Sequence, residues 1–233
     1  MPADEAIVLA GGRGTRLQAL VSDVPKPLAP VAGRPFLAWV LDHLAEGGIR
    51  RVVLATGYLS EQIEAAVGRR WRSMAIDYSV EAHPLGTGGA LRQACGKLHG
   101  DNAHVLNGDT FLDFAPAAFA AAVAHAGAGI GVALAQVDDV SRYGAVECDG
   151  DRVVRFREKG GNGPGRINAG CYFLARDALA ALPAAEAFSF ETEVLVPMAA
   201  QGRVYGYPDT GRFIDIGVPE DYRRAQSLFG PAP

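Results

Sequence analysis

The stretch LAGGRGTRL, residues 9–17, follows directly on the apolar run Ala6, Ile7, Val8, Leu9. Such a run reads as a buried strand, and the consecutive glycines after it let the backbone turn sharply and approach an anion with its N–H groups free to donate. Two familiar phosphate fingerprints fail here. A dinucleotide loop would place a third glycine at Leu17, and a Walker loop would read Gly-Lys-Ser/Thr where this chain has Gly14, Thr15, Arg16. A second cation stands farther on, at Lys26 in VPKPLAP, residues 24–30. Arg16 and Lys26 beside a glycine turn suit a triphosphate whose leaving pyrophosphate gains charge. Pro25 and Pro27 are expected to hold Lys26 in stiff, extended backbone.

From that first strand outward, short apolar runs alternate with amphipathic ones, the pattern of strands interleaved with helices in an α/β sheet. Strands are predicted at 6–10, 51–55, 75–80 and 103–106. Helices are predicted at 36–46, ended by Gly47 and Gly48, at 60–67 with Ser60 as N-cap, at 90–98 after a flexible GTGG run (86–89), and at 116–126. The second half of the chain is richer in strand: segments at 130–136, 144–148, 152–157 and 168–174 are expected, with little helix between them and a turn at Asp149-Gly150. A helix is expected over 190–200 despite Pro197, and another opening at Pro219 with the acids Glu220 and Asp221 in its first turn. Residues 160–165 read as a mobile loop, and no linker or shift in composition divides the chain.

The inventory of 233 residues narrows the function classes. Hydrophobic residues make up 49% and charged ones 21%, the balance of a globular protein with a real core. A net charge of −4 argues against a nucleic-acid polymer as partner, because such binding relies on clustered Lys and Arg. The three cysteines, Cys95, Cys148 and Cys171, show neither disulfide nor zinc spacing, and the five histidines stand singly. No apolar run is long enough for a membrane span and no targeting segment opens the chain, so a cytoplasmic setting is expected. The strand at 103–106 aims Asn107, Gly108, Asp109 and Thr110 at its carboxyl end, where open α/β sheets bind ligands.

LAGGRGTRL followed by KPLAP resembles the signature of the sugar-1-phosphate nucleotidyltransferases. The resemblance continues in family order through PLGTGGA (84–90), NGDT (107–110), RYGAV (142–146), Glu158-Lys159, NAGCY (168–172) and IDIGVPEDY (214–222), covering essentially the whole chain. It implies a Rossmann-like three-layer α/β fold with a central mixed, mostly parallel sheet. It implies one domain over 1–233, its nucleotide-binding part about 1–112 and its sugar-phosphate-binding part about 113–233. The reaction implied is NTP plus sugar 1-phosphate giving NDP-sugar plus pyrophosphate, by in-line attack of an already ionised phosphate, so that positioning and charge neutralisation suffice without a general base.

On this resemblance Arg16, Lys26, Asp109, Lys159 and Asp215 are the catalytic set. Asp109 and Asp215 are expected to hold magnesium (Mg2+), which takes a few carboxylates together with substrate phosphate oxygens. The nucleotide would be held by Leu9, Ala10, Gly11, Gly12, Gly14, Thr15, Glu81, Leu85, Gly86, Asn107 and Asp109. The sugar phosphate would be held by Lys159, Glu158, Asn168, the backbone at Gly144, and Glu191. Glu81 leans toward GTP, since a carboxylate only accepts hydrogen bonds and guanine offers two adjacent N–H donors. Within the family the chain is most similar to the D-glycero-α-D-manno-heptose 1-phosphate guanylyltransferases, which supply GDP-heptose for bacterial capsules and other surface glycans. N-acetylmuramate 1-phosphate uridylyltransferase and mannose-1-phosphate guanylyltransferase are the alternatives, and no hexapeptide repeat of the kind many of the latter carry follows Asp215. A non-catalytic nucleotide-sugar-binding subunit is the alternative of another class, and a homo-oligomer is compatible with either reading.

Overall fold

A computed structural model describes residues 3–12, 17, 21 and 24–230. The chain begins with β1 (Glu5–Leu9), a 3₁₀ turn (Lys26–Leu28) and the short hairpin β2 (Pro30–Val31) and β3 (Arg34–Pro35). Then come α1 (Phe36–Glu46), β4 (Arg51–Thr56), α2 (Ser60–Val67), β5 (Arg70–Trp71), β6 (Met74–Val80) and α3 (Gly86–Cys95). The middle holds β7 (Ala103–Asn107), β8 (Thr110–Leu112), α4 (Pro116–His125), β9 (Ile130–Val137), β10 (Val146–Asp149) and β11 (Arg152–Phe156). It closes with β12 (Gly165–Leu174), α5 (Arg176–Ala180), a π-helical turn (Glu191–Leu195), α6 (Val196–Ala200), β13 (Val204–Tyr207), β14 (Phe213–Asp215) and α7 (Pro219–Phe229).

Among the described residues, ten strands form one mixed sheet in the order β10-β11-β13-β9-β12-β7-β1-β4-β6-β5. Only β5, β11 and β12 run against the other seven, which follows from the parallel and antiparallel pairings. The central strands are apolar on both faces because both are covered, as parallel strands require. Alternation sorts their side chains into two cores. Val8, Leu54 and Leu106 meet α1 and α4 through Phe36, Leu37 and Phe119. Ile7, Val53 and Val105 meet α3 and the 190–199 segment through Leu91, Phe190 and Leu195. This is the expected three-layer arrangement. Among the described residues no helix is long and apolar enough to cross a membrane.

Several local expectations are corrected. Lys26 is not extended: Pro25 is, and Lys26 opens the 3₁₀ turn, with Leu28 N–H donating to the Pro25 carbonyl at 2.8 Å. Ser60 does not cap α2; it is the first helical residue, and Leu59 before it turns the chain with φ +54°. The π turn over Glu191–Leu195 lies just before Pro197, so the missing N–H falls where the helical ladder already changes pitch. The five-residue α5, the four-residue β13 and the two- and three-residue strands β2, β3, β5, β8 and β14 had no strong pattern to announce them.

The GTGG run is the most instructive correction, because it is helix rather than flexible lead-in. Its glycines make room for the segment 186–190 to lie against α3. A Cβ on Gly88 would stand 2.1 Å from the Phe188 ring, and one on Gly89 would stand 2.4 Å from the Glu186 carbonyl. Backbone bonds seal the contact, Gly88 N–H to the Phe188 carbonyl at 2.9 Å and Phe188 N–H to the Leu85 carbonyl at 3.0 Å. Gly88→Ala therefore forces the Phe188 ring out of its seat, and an overpacked contact of this kind costs about 1–3 kcal/mol. Chemical denaturation of the variant should show that loss, and an unchanged midpoint would refute the tight seam.

One buried histidine sets a pH dependence. His104 on β7 is fully buried with Phe114, Phe119 and Phe173 around it at centroid distances of 5.1–6.1 Å. Burial pushes its pKa down to about 4 from the usual 6.5. The folded state keeps the ring neutral while the unfolded chain takes up a proton near pH 6.5, so this contribution to stability is complete above pH 6.5 and is lost as pH falls to 4. The loss approaches about 3 kcal/mol. Unfolding curves recorded between about pH 4 and 8 should show it for the native chain and not for His104→Phe.

Candidate active site

The carboxyl ends of the parallel strands β1, β4 and β6 and of β7 open on one side of the sheet, into a cleft of about 720 Å³. This is where an open α/β sheet holds ligands. β1 delivers Leu9, Ala10, Gly11 and Gly12, β7 delivers Asn107 and Asp109, and the chain just beyond β6 delivers Glu81; all of them line the cleft together with Lys26 and Gly86. Glu81 is fixed by its own N–H, which donates to the Thr56 carbonyl at 2.8 Å, and by one carboxylate oxygen, which accepts the Leu85 N–H at 2.9 Å. The other oxygen lies against Gly11, where a Cβ would stand 2.4 Å from it. Gly11 thus serves the neighbouring carboxylate as well as the turn.

Lys26 is the hub of the charged end of the cleft. Its ammonium pairs directly with Asp109 and lies 3.8 Å from Asp215, with only 11% of its side chain exposed. Sheet register brings the two aspartates together: β14 pairs antiparallel with β8, placing Asp215 opposite Thr110, the residue after Asp109. The Ile216 N–H then donates to the Asp109 carbonyl at 3.0 Å, and the Gly217 N–H donates to the Asp215 carboxylate at 2.6 Å. Burial, with the charge of Asp109 next, raises the Asp215 pKa against the opposing pull of Lys26. The two carboxylates converge on the Lys26 ammonium, and as hard-oxygen ligands they would suit a divalent ion of the magnesium class whose shell phosphate oxygens would complete. Among the described residues no third His, Cys, Asp or Glu joins them.

Other expected residues lie farther out. Arg16, Gly14 and Thr15 fall outside the described residues. Glu158 and Lys159 are exposed in the segment between β11 and β12 and do not line the cleft. Gly144, at φ +82°, lies so close to the Arg157 carbonyl that a Cβ would stand 2.3 Å from it, and its N–H is already donated to the Val140 carbonyl. Only its carbonyl is left for a substrate, which narrows what the Gly144 backbone can do. Asn168 and Glu191 do not line the cleft and are joined through the Tyr172 hydroxyl: Asn168 Nδ2 donates to it at 3.0 Å, and it reaches Glu191 at 3.5 Å.

Two residues were misjudged or missed in the sequence. Asp221 reads only as a first-turn acid of a helix, but it is 1% exposed and receives Arg142 at 2.5 Å and the Tyr143 hydroxyl at 3.3 Å. It thereby fastens the RYGAV segment to the helix that follows Asp215. The rest of α7 reaches the other way: Tyr222 Oη donates to the Pro30 carbonyl at 2.6 Å, the Ala32 N–H donates to Gln226, and Phe229 stacks on Trp39 at 4.9 Å. The second is Thr87 in PLGTGGA, whose hydroxyl donates to Glu191 at 2.7 Å and accepts the Phe190 N–H at 2.9 Å. Its position inside a glycine-rich run gave no signal, because its partners are a hundred residues away in sequence.

Comparison with known proteins agrees with this geometry. The model of the nucleotidyl transferase family matches residues 5–229. The chain is 41% identical to the D-glycero-alpha-D-manno-heptose 1-phosphate guanylyltransferase of Aneurinibacillus thermoaerophilus, covering 95% of this chain and 96% of that one. It is 39% identical to the mannose-1-phosphate guanylyltransferase of Mycobacterium tuberculosis, covering 98% of this chain but 66% of that one. Among solved structures, HddC from Yersinia pseudotuberculosis complexed with GMP-PN superposes with a TM-score of 0.85 at 33% identity, over 97% of this chain and 99% of that one. A strand-end cleft with a lysine set between two aspartates, on a sheet that matches relatives over nearly its full length, places the chain in the nucleotidyl transferase family.

Proposed function

We propose that this protein transfers GMP from GTP to D-glycero-α-D-manno-heptose 1-phosphate, giving GDP-heptose and pyrophosphate. The observation that carries the reading is the convergence of Lys26, Asp109 and Asp215 at one end of the strand-end cleft. A phosphate oxygen of the sugar phosphate attacks the α-phosphorus of GTP as the bond to the leaving pyrophosphate breaks. The nucleophile is already an anion, so what the protein supplies is alignment and positive charge rather than a base. This is consistent with His104 serving the core instead of the chemistry.

Lys26 neutralises phosphate charge from a fixed, mostly buried position, where its electrostatic effect is less screened by solvent. Asp109 and Asp215 would hold magnesium, which supplies charge neutralisation on the phosphates when bound. Arg16 is assigned to the departing pyrophosphate, and Lys159 and Glu158 to the sugar phosphate, on the family resemblance. Guanine selection is assigned to Glu81, whose carboxylate lines the cleft and keeps one oxygen clear of its Leu85 bond. The heptose substrate is favoured by similarity to a heptose 1-phosphate guanylyltransferase over 95% of this chain and 96% of that one. A cytoplasmic setting and a role in supplying bacterial surface glycans complete the proposal.

A panel of nucleoside triphosphates assayed against heptose, mannose and N-acetylmuramate 1-phosphates, with pyrophosphate release as readout, tests the assignment. Highest kcat/KM is expected for GTP with the heptose phosphate, and preference for another pair would replace the substrate named here. Asp109→Asn should lower turnover by about 10²-fold or more while leaving the melting temperature within a few degrees. Near-native turnover in that variant would remove Asp109 from the metal-holding pair.

A further inference from the structure

A hydrogen-bonded arc runs from Thr87, which lines the cleft, to the Gly170 backbone, which packs against Asn107, another lining residue. Thr87 Oγ1 donates to Glu191 Oε2 at 2.7 Å, Glu191 Oε1 faces the Tyr172 hydroxyl at 3.5 Å, and that hydroxyl accepts from Asn168 Nδ2 at 3.0 Å. Asn168 Oδ1 accepts the Gly170 N–H at 3.0 Å, and Gly170 lies so close to Asn107 that a Cβ would stand 2.6 Å from the Asn107 amide. Thr87 and Asn107 both line the cleft. Tyr172, at the middle of the arc, is 1% exposed, so its hydroxyl must be satisfied from within.

Two stretches within this arc are built on backbone irregularities. Asn168 and Tyr172 bracket a register shift in the pairing of β12 with β9, and Glu191 opens the π-helical turn. Strand bulges re-aim side chains and π turns are rare, and both are enriched beside functional sites. Here the two irregularities point Asn168 and Glu191 at the same hydroxyl. Thr87 holds the arc from the nucleotide side. It stands at the start of α3, just beyond Glu81 and Leu85, and its hydroxyl is held inside the protein as donor to Glu191 and acceptor from Phe190.

We propose that Thr87 is a positioning residue for the sugar substrate: it fixes the Glu191 carboxylate, and through Tyr172 the Asn168 amide, from the helix start that follows the base-reading Glu81. This deepens the proposed function and rests on it. In this role Thr87 acts through the Glu191 carboxylate that its hydroxyl holds. A hydroxyl lost against a charged partner is worth roughly a tenfold change in binding.

Steady-state kinetics of Thr87→Val, Thr87→Ser, Glu191→Gln and the Thr87→Val/Glu191→Gln double variant test it. The expected result is a KM for the heptose 1-phosphate raised about tenfold in Thr87→Val, a KM for GTP changed by less than about twofold, and recovery in Thr87→Ser. The Thr87→Val and Glu191→Gln effects on that KM should fall well short of additive, because one residue acts through the other. Equal rises in both KM values, additive effects, or no rise would overturn the proposal. If Thr87→Val is too unstable to assay, Thr87→Ala is read by the same criteria. A native enzyme that turns over no pair of nucleotide and sugar phosphate would instead bring down the functional reading, which this outcome keeps separate.

Discussion

The pairing of β14 with β8 is the constraint on which the charged site depends. A two-stranded ribbon of three residues each is a small structure, yet its register alone decides whether Asp215 stands beside Asp109 or elsewhere. Side chains alternate along a strand, so a slip of one residue would send Asp215 to the opposite face. Ile214, fully buried in the core, is what forbids that slip. Two carboxylates held this close repel, and Lys26, itself mostly buried, gives that repulsion its counterweight. The raised pKa of Asp215 is the outcome of this contest: burial and Asp109 together outweigh the single ammonium.

The large sheet supplies rigidity to the site without being part of its chemistry. β1 and β7 are neighbours in the interior of the ten-stranded sheet, so the turns after them, carrying Gly11 and Asp109, emerge side by side from buried strands. Residues that must approach an anion with their backbone sit on those turns. Residues that can be adjusted, such as Glu158 and Lys159, stand on exposed chain between strands. The division is physical, since turns at the ends of central strands inherit their order while a surface segment does not.

Much of this was legible in advance where the signal is local. The apolar runs of β1, β4, β6 and β7 announced buried parallel strands, α1 announced itself by its spacing, and Asp149-Gly150 turns β10 into β11 as its composition indicates. The ordered motifs pointed to Lys26, Asp109 and Asp215 as a set, although nothing local says that they meet. What was not legible depends on partners distant in the chain. Asp221 reads as no more than a first-turn acid until Arg142 and Tyr143 are brought to it, and GTGG looks flexible until Phe188 is packed onto it. Glycine is ambiguous in sequence for this reason: the absence of a side chain serves freedom in one place and crowding in another.

The helix α7 carries a consequence for how the protein comes into being. It follows Asp215 almost at once, grips the hairpin beyond Lys26 through Tyr222 and Gln226, and holds the Arg142 segment through Asp221. A ribosome that has made the strands β1, β4, β6 and β7 has made the nucleotide side of the cleft, but neither Asp215 nor the clamp that steadies Lys26. The charge arrangement around Lys26 is completed only by the final stretch of these residues to emerge. A nascent chain that has not reached Asp215 holds Lys26 against one aspartate instead of two, so the charged site is completed only as Asp215 and α7 are added.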